Sequence, residues 1–202
     1  MSVRKTEVIG KFSTPIWTGL LENHEEINKG LIEYINSVRE KNPEGVHKSN
    51  TLGWHSPNLD TKNDTVKNFF SSISPMIKEV SEDMKWNLIK FQAKILNCWA
   101  IINKKYASNA GHIHANSLIS SAYYVHASEK CGNLIFDDPR PGATIKKAPY
   151  VSLGQWNEGN ITIEPKTGLL VMFPSYLVHH VQPNMSEKDR TILSFNIDVV
   201  NK

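Results

Sequence analysis

A chain of 202 residues, 40% hydrophobic and 21% charged, has the composition of an ordinary globular protein and is long enough to bury a substantial core, so a single domain over 1–202 is expected. Its net charge of +3 is spread along the chain without a basic stripe, which gives no support to nucleic acid as a partner. No apolar run of membrane-spanning length exists and the start, Met-Ser-Val-Arg-Lys-Thr-Glu, lacks a signal-peptide core, so no membrane association and a cytoplasmic location are expected.

In chain order, Thr14-Pro-Ile-Trp17 reads as a short entering strand. Asn23 is placed to cap a helix, with Glu26 reaching back in a capping box. Ile27, Leu31, Tyr34, Ile35 and Val38 follow at helical spacing, and Asn42-Pro-Glu-Gly45 ends the element, an amphipathic helix expected to cover its own core. Val46 to Asn63 reads as a loop, yet Trp54 and Leu59 within it argue for a packed loop beside a pocket. A second helix starts near Asp64 with Val66, Phe69, Phe70 and Ile73 on one side; Ser74-Pro75 marks a kink or a fresh start carrying Met76, Ile77, Val80 and Met84. Residues 1–88 are therefore the helical part.

Beyond Trp86 the period changes to two. Ile89, Phe91, Ala93 and Ile95, then Asn97, Trp99 and Ile101, alternate with polar neighbours as in a long strand or two in succession. Further β-type runs are Leu118–His126, Asn133–Phe136, Tyr150–Leu153, Ile161–Ile163, Leu169–Phe173 and Thr191–Val200. The expected fold is mainly β with N-terminal helices: a sandwich or barrel over 89–202 against which 1–88 packs.

Of the eight histidines, His24, His47, His55 and His126 are expected to be surface residues. His112 and His114 differ, because residues i and i+2 of a strand point to one face and both imidazoles can then aim at one point. His179, in Phe173-Pro-Ser-Tyr-Leu-Val-His179, is the third candidate metal ligand. Cys98 and Cys131 show no metal-finger or redox spacing, and no disulfide is needed.

The order His112-Ile-His114-Ala-Asn116-Ser117, Tyr123-Tyr124, Asp138-Pro-Arg140, Gly168-Leu-Leu-Val-Met-Phe173-Pro-Ser175, His179, Arg190 and Ser194-Phe-Asn196 resembles the iron(II)/2-oxoglutarate-dependent oxygenases, in particular a branch of small ones found in phages and bacteria. The resemblance implies a double-stranded β-helix (jelly-roll) core flanked by helices. It implies a dioxygenase using Fe(II), 2-oxoglutarate and O2, releasing succinate and CO2 while oxidising, as a rule hydroxylating, a primary substrate. That substrate is a protein side chain, a nucleobase or a small molecule, in the cytoplasm of a bacterial or phage-infected cell; a homodimer is compatible with the sequence. His112 and His179 would be metal ligands and Arg190 would fork onto the distal carboxylate of 2-oxoglutarate beside Tyr124. His114 stands where the superfamily usually has Asp or Glu. Either it ligates, or Asn116, water or a remote carboxylate such as Asp137 or Asp138 completes the site. Ile192 stands where the branch has serine, leaving Ser194 or Ser175 to supply a hydroxyl to the cosubstrate. Trp54, His55, Asp138 and Arg140 are the expected pocket rim. Two rivals are a cupin-like three-histidine metal enzyme that does not use 2-oxoglutarate, for which Arg190 has no task, and a jelly-roll binding or structural domain without metal.

Overall fold

Two antiparallel β-sheets lie face to face in the computed structural model, which describes residues 7–202 apart from the side chains of residues 143 and 144. The first half of the chain contributes β1 (Trp17–Leu20), α1 (His24–Lys41), β2 (Asn50–Thr51), β3 (Trp54–His55), α2 (Asp64–Asp83) and β4 (Phe91–Asn103). The second half contributes β5 (Ser108–His112), β6 (Ile119–His126), β7 (Leu134–Asp137), α3 (Pro141–Ile145), β8 (Asn160–Ile163), β9 (Leu169–Pro174), β10 (His179–Val181) and β11 (Arg190–Asn201). The larger sheet has the order β1-β9-β6-β11-β4-β3 and the smaller β2-β5-β10-β7-β8. This is the double-stranded β-helix expected. Among the described residues no helix is long and apolar enough to cross a membrane.

Strands of the larger sheet are buried on both faces, which is why they read as nearly continuous apolar runs. Tyr123, Val125, Leu170, Met172, Leu193 and Phe195 face the helices, packing on Leu31, Ile35, Phe69 and Ile73. Their alternates, Ala122, Tyr124, Val171, Phe173 and Ile192, point between the sheets at Leu134, Phe136, Leu177 and Val181. The Tyr123 hydroxyl donates to Asn28 Oδ1 at 2.7 Å and ties α1 to this layer.

Local chemistry departs from expectation in several places. Asn23 caps α1 without a side-chain hydrogen bond, because its backbone (φ −100°, ψ 31°) is not in the extended region from which a cap reaches back. In α2, Asn63 Oδ1 does accept the Thr65 N–H. The helix runs unbroken through Pro75: proline leaves the Ser71 carbonyl without its amide donor, and the Ser74 hydroxyl donates to it instead at 2.8 Å. The entering strand begins at Trp17 rather than ending there, and the loop before α2 holds the two-residue strands β2 and β3. Tyr150–Leu153 is an exposed bend, not a strand: Tyr150, Val151 and Leu153 pack against no core cluster, so the apolar run has nothing to bury it.

One correction positions the site. β4 pairs Asn97 with Asn196 but Ile95 with Ile197, so Leu96 is an unpaired bulge and the strand changes face there. Before it, Ala93 and Ile95 pack toward the helices; after it Cys98, Ala100 and Ile102 do so. Asn97, Trp99 and Ile101 are thereby turned into the space between the sheets.

Candidate metal centre

His112 ends β5 and His179 begins β10, and the antiparallel register sets them directly opposite one another. His114 lies just beyond the strand rather than on it. Its N–H donates to the Ser175 carbonyl at 2.9 Å, which folds the loop back over the barrel mouth. The three rings stand 4.3 to 5.1 Å apart between centroids, and their ligand nitrogens all lie within 4.8 Å of one another.

Each imidazole is held from behind. His112 Nδ1–H donates to Ala110 O at 2.8 Å, His179 Nδ1–H to Leu177 O at 3.0 Å, and His114 Nδ1–H to Asn196 Oδ1 at 2.7 Å. These oxygens only accept, so each Nδ1 carries the proton and each Nε2 keeps its lone pair for a ligand, that of His112 lying 3.5 Å from the Ser49 hydroxyl. Burial pulls all three below the ordinary histidine value, His179 to about 3, with the neighbouring imidazoles adding to its shift. The trio is therefore neutral at pH 7, the state in which imidazole binds a metal.

No carboxylate joins it among the described residues. Asp138 is held by Arg140 through Nε and Nη2 at 2.9 and 2.7 Å, and with Asp137 these residues line a separate cavity beside residues 10–16. Asp138 and Arg140 are thus not the rim of this site. Trp54 is not either, being packed in the helix-side core with its indole N–H on Asn42 O. Asn116 is an exposed turn residue at φ +66° and lines neither space at the histidines. His55, expected both among the surface histidines and at the pocket rim, is buried, lines a cavity shared with His112 and His114, and lies parallel to Trp99, rings 5.9 Å apart.

Behind the histidines a narrow slot runs into the barrel between Tyr124, Phe173, Ile192 and Ser194. Arg190 is fully buried. Its Nη1 donates to the carbonyls of Cys131, Gly132 and Gln182, whereas Nε and Nη2 have no partner among the described residues, nor does the buried Tyr124 hydroxyl. Gly132 allows this cradle: it takes φ +88°, and a Cβ there would sit 2.8 Å from Nη1. Burial pushes the Tyr124 hydroxyl up in pKa while the neighbouring guanidinium pulls it down. Buried donors left unmet cost about 1–3 kcal/mol each, so three together call for an acceptor. Ser175, by contrast, is engaged with the hydroxyls of Ser117 and Ser120 on the His114 side.

In front of the histidines a bowl of about 760 Å³ shares Trp99, His112 and His114 with the slot. Its wall includes Lys48, Ser49, His55, Asn97 and Asn196 and, among the described residues, no acidic side chain. Asn97 Oδ1 is buried there without a partner. Asn97, Trp99 and Asn196 were not among the expected site residues; the signs of them in the sequence are the place of Asn196 in the Ser194-Phe-Asn196 motif and, for Asn97, a polar residue breaking an apolar strand.

Similarity in sequence and in fold agrees on the class to which this arrangement belongs. Residues 97–196, which contain all three histidines and Arg190, match the family described as "Putative 2OG-Fe(II) oxygenase". The chain belongs to the iron(II)/2-oxoglutarate-dependent oxygenases, with Fe(II), 2-oxoglutarate and O2 as their cofactors. No curated protein matches the sequence. Among solved structures, a prolyl-4-hydroxylase from Pseudomonas putida is similar with TM-score 0.64 and 13% identity, over 92% of this chain and 93% of that one. The epimerase SnoN, in complex with Fe3+, alpha ketoglutarate and nogalamycin RO, gives 0.63 and 13% over 92% and 78%. The viral collagen prolyl hydroxylase of Paramecium Bursaria Chlorella virus-1 gives 0.55 and 14% over 90% and 94%. At such identities these likenesses establish the fold alone. The residues present fit the cofactors: three neutral nitrogen donors suit a divalent iron and leave open positions, and the unmet guanidinium and phenol suit a carboxylate.

Proposed function

We propose that this oxygenase hydroxylates a primary substrate with release of succinate and CO2, His112, His114 and His179 holding Fe(II), and Arg190 and Tyr124 binding the distal carboxylate of 2-oxoglutarate beside Ser194. The observation that carries this reading is the set of buried, unpartnered donors on Arg190 and Tyr124 behind three converging imidazoles. When bound, the iron and 2-oxoglutarate supply the activation of O2.

The chain's own part is positional. Nη1, anchored on three carbonyls, fixes the guanidinium so that Nε and Nη2 present a ready fork. Phe173 and Ile192 keep the slot apolar between its polar ends, which strengthens the carboxylate contact by excluding water. The primary substrate enters through the bowl, whose lining of amides, hydroxyls and Lys48 suits a neutral or anionic group over a cationic one. Within that limit it is a protein side chain, a nucleobase or a small molecule, and a cytoplasmic setting in a bacterial or phage-infected cell suits the reading. Because one similar protein is an epimerase, hydroxylation itself is tested by product analysis.

A three-histidine metal enzyme that does not use 2-oxoglutarate is the second reading, favoured by the missing carboxylate ligand. Anaerobic addition of Fe(II) and 2-oxoglutarate separates the two. A visible charge-transfer band, followed by succinate release in air, is expected; Fe(II) uptake with neither would sink the first reading. His114→Ala should weaken Fe(II) binding on the order of 100-fold or more, the upper end of what losing even a supporting partner costs.

A further inference from the structure

The three histidines are not held alike. Backbone carbonyls two residues earlier, Ala110 O and Leu177 O, fix His112 and His179, so their orientation follows from the strands themselves. His114 lies outside any strand and has no such carbonyl. Its Nδ1–H goes to the side chain of Asn196, 2.7 Å away on β11.

That amide is in turn locked. The Ser120 hydroxyl donates to Asn196 Oδ1 at 2.9 Å and also lies 2.9 Å from His114 Nδ1. Behind it Ser175 Oγ stands 2.8 Å from Ser120 Oγ, and the Ser117 hydroxyl donates to Ser175 at 3.0 Å. With Oδ1 as the terminal acceptor, a consistent order of protons runs from Ser117 through Ser175 and Ser120 to Asn196. Such a chain polarises each successive bond and fixes which amide atom faces the imidazole. Ser120, Ser175 and Asn196 are all buried, so water does not compete for these bonds.

We infer that Asn196 is the positioning residue that makes His114 a metal ligand, with Ser120, Ser175 and Ser117 fixing its amide. The inference rests on the reading that the three histidines hold the metal. It says how a neutral imidazole on a loop is made as rigid as the carboxylate usual at that place: the orienting acceptor is supplied from the last strand. A ligand so held is expected to lose affinity when its acceptor is removed, although the donor atom itself is untouched.

Co(II) titrated anaerobically into the metal-free full chain tests this, with the visible d–d bands read alongside the dissociation constant. Asn196→Leu removes the acceptor at similar size and should lose about 10- to 100-fold in affinity while taking on the spectrum of His114→Ala. Asn196→Asp keeps an acceptor oxygen and should retain both the affinity and the three-nitrogen spectrum. Asn196→Leu binding Co(II) with the wild-type constant and bands would overturn the inference. Should Asn196→Leu fail to fold by circular dichroism, Asn196→Asp decides, since a His114→Ala spectrum from that variant overturns it equally. Wild type that takes up no Co(II), or His114→Ala that binds like wild type, would remove the ligand assignment itself.

Discussion

Arg190→Met separates a cosubstrate anchor from a structural post. In the free protein the guanidinium has two opposing effects. Nε and Nη2, buried without acceptors, each cost about 1–3 kcal/mol, while the charged Nη1 bonds to the Cys131 and Gly132 carbonyls contribute about 1.5–3 kcal/mol each. These are of equal size and opposite sign, so the free Arg190→Met protein should lie within about 2 kcal/mol of wild type, as buried ionic groups exchanged for apolar ones often do. Binding should behave otherwise. Two charge-assisted bonds to a carboxylate, at about 1.5–3 kcal/mol each, correspond to a loss of roughly 100- to 10,000-fold in 2-oxoglutarate affinity. Thermal unfolding of the Mn(II)-loaded proteins reads both quantities. With 2-oxoglutarate at about 100 times Kd, wild type gains about 2.7 kcal/mol, or about 5–10 °C for a chain of this size. Arg190→Met should gain no more than about 0.4 kcal/mol at that concentration, and Arg190→Lys, which keeps charge but not the fork, should recover only part. A wild-type shift in Arg190→Met, or a free protein destabilised by more than about 4 kcal/mol, would refute the reasoning.

Three further outcomes follow from the same structure. His179 has a folded pKa of about 3 against 6.5 unfolded, so the unfolded chain takes up the proton first; stability is complete above about pH 6.5 and erodes as pH falls toward 3, by up to about 5 kcal/mol. Urea midpoints of the metal-free protein should therefore drop between pH 7.5 and 5, and equal midpoints would contradict the burial argument. Phe69, fully buried against Phe70, Tyr123 and Phe195, holds α2 to the larger sheet, so Phe69→Ala should cost about 3–5 kcal/mol in chemical denaturation with Co(II) affinity of the folded protein unchanged. Deleting Leu96 leaves Ile95 opposite Ile197 and Asn97 opposite Asn196 in unbroken register, so the variant should keep Co(II) binding, and Leu96→Ala at this exposed position should shift stability by no more than about 0.5 kcal/mol; a deletion variant that folds but takes up no Co(II) would disprove the change of face.

Much of the site was legible because its parts are residue types with few other uses in their setting. His112 and His114 stand one residue apart with His179 downstream, a spacing that metal sites use, and the order of motifs around them carried the resemblance that pointed to Arg190. Where the reading failed, it failed over partners distant in sequence. Asn116, adjacent to the histidines along the chain, turns outward at a positive φ, while Asn196, 82 positions from His114, touches it. The uninterrupted alternation from Ile89 to Ile101 concealed a bulge, since period two in the sequence does not record which sheet partner skips a residue.

By itself the sequence determined the classes of element and the three candidate imidazoles, because spacing and side-chain chemistry are local properties, while the resemblance of its motifs singled out the one guanidinium. Tertiary structure decided which of them meet: the β5–β10 register that sets His112 against His179, the bulge that turns Asn97 and Trp99 inward, and the Gly132 cradle that leaves half of Arg190 unmet. Those outcomes depend on pairing between segments far apart along the chain, and the free energy of such pairing belongs to the whole barrel rather than to any stretch of it.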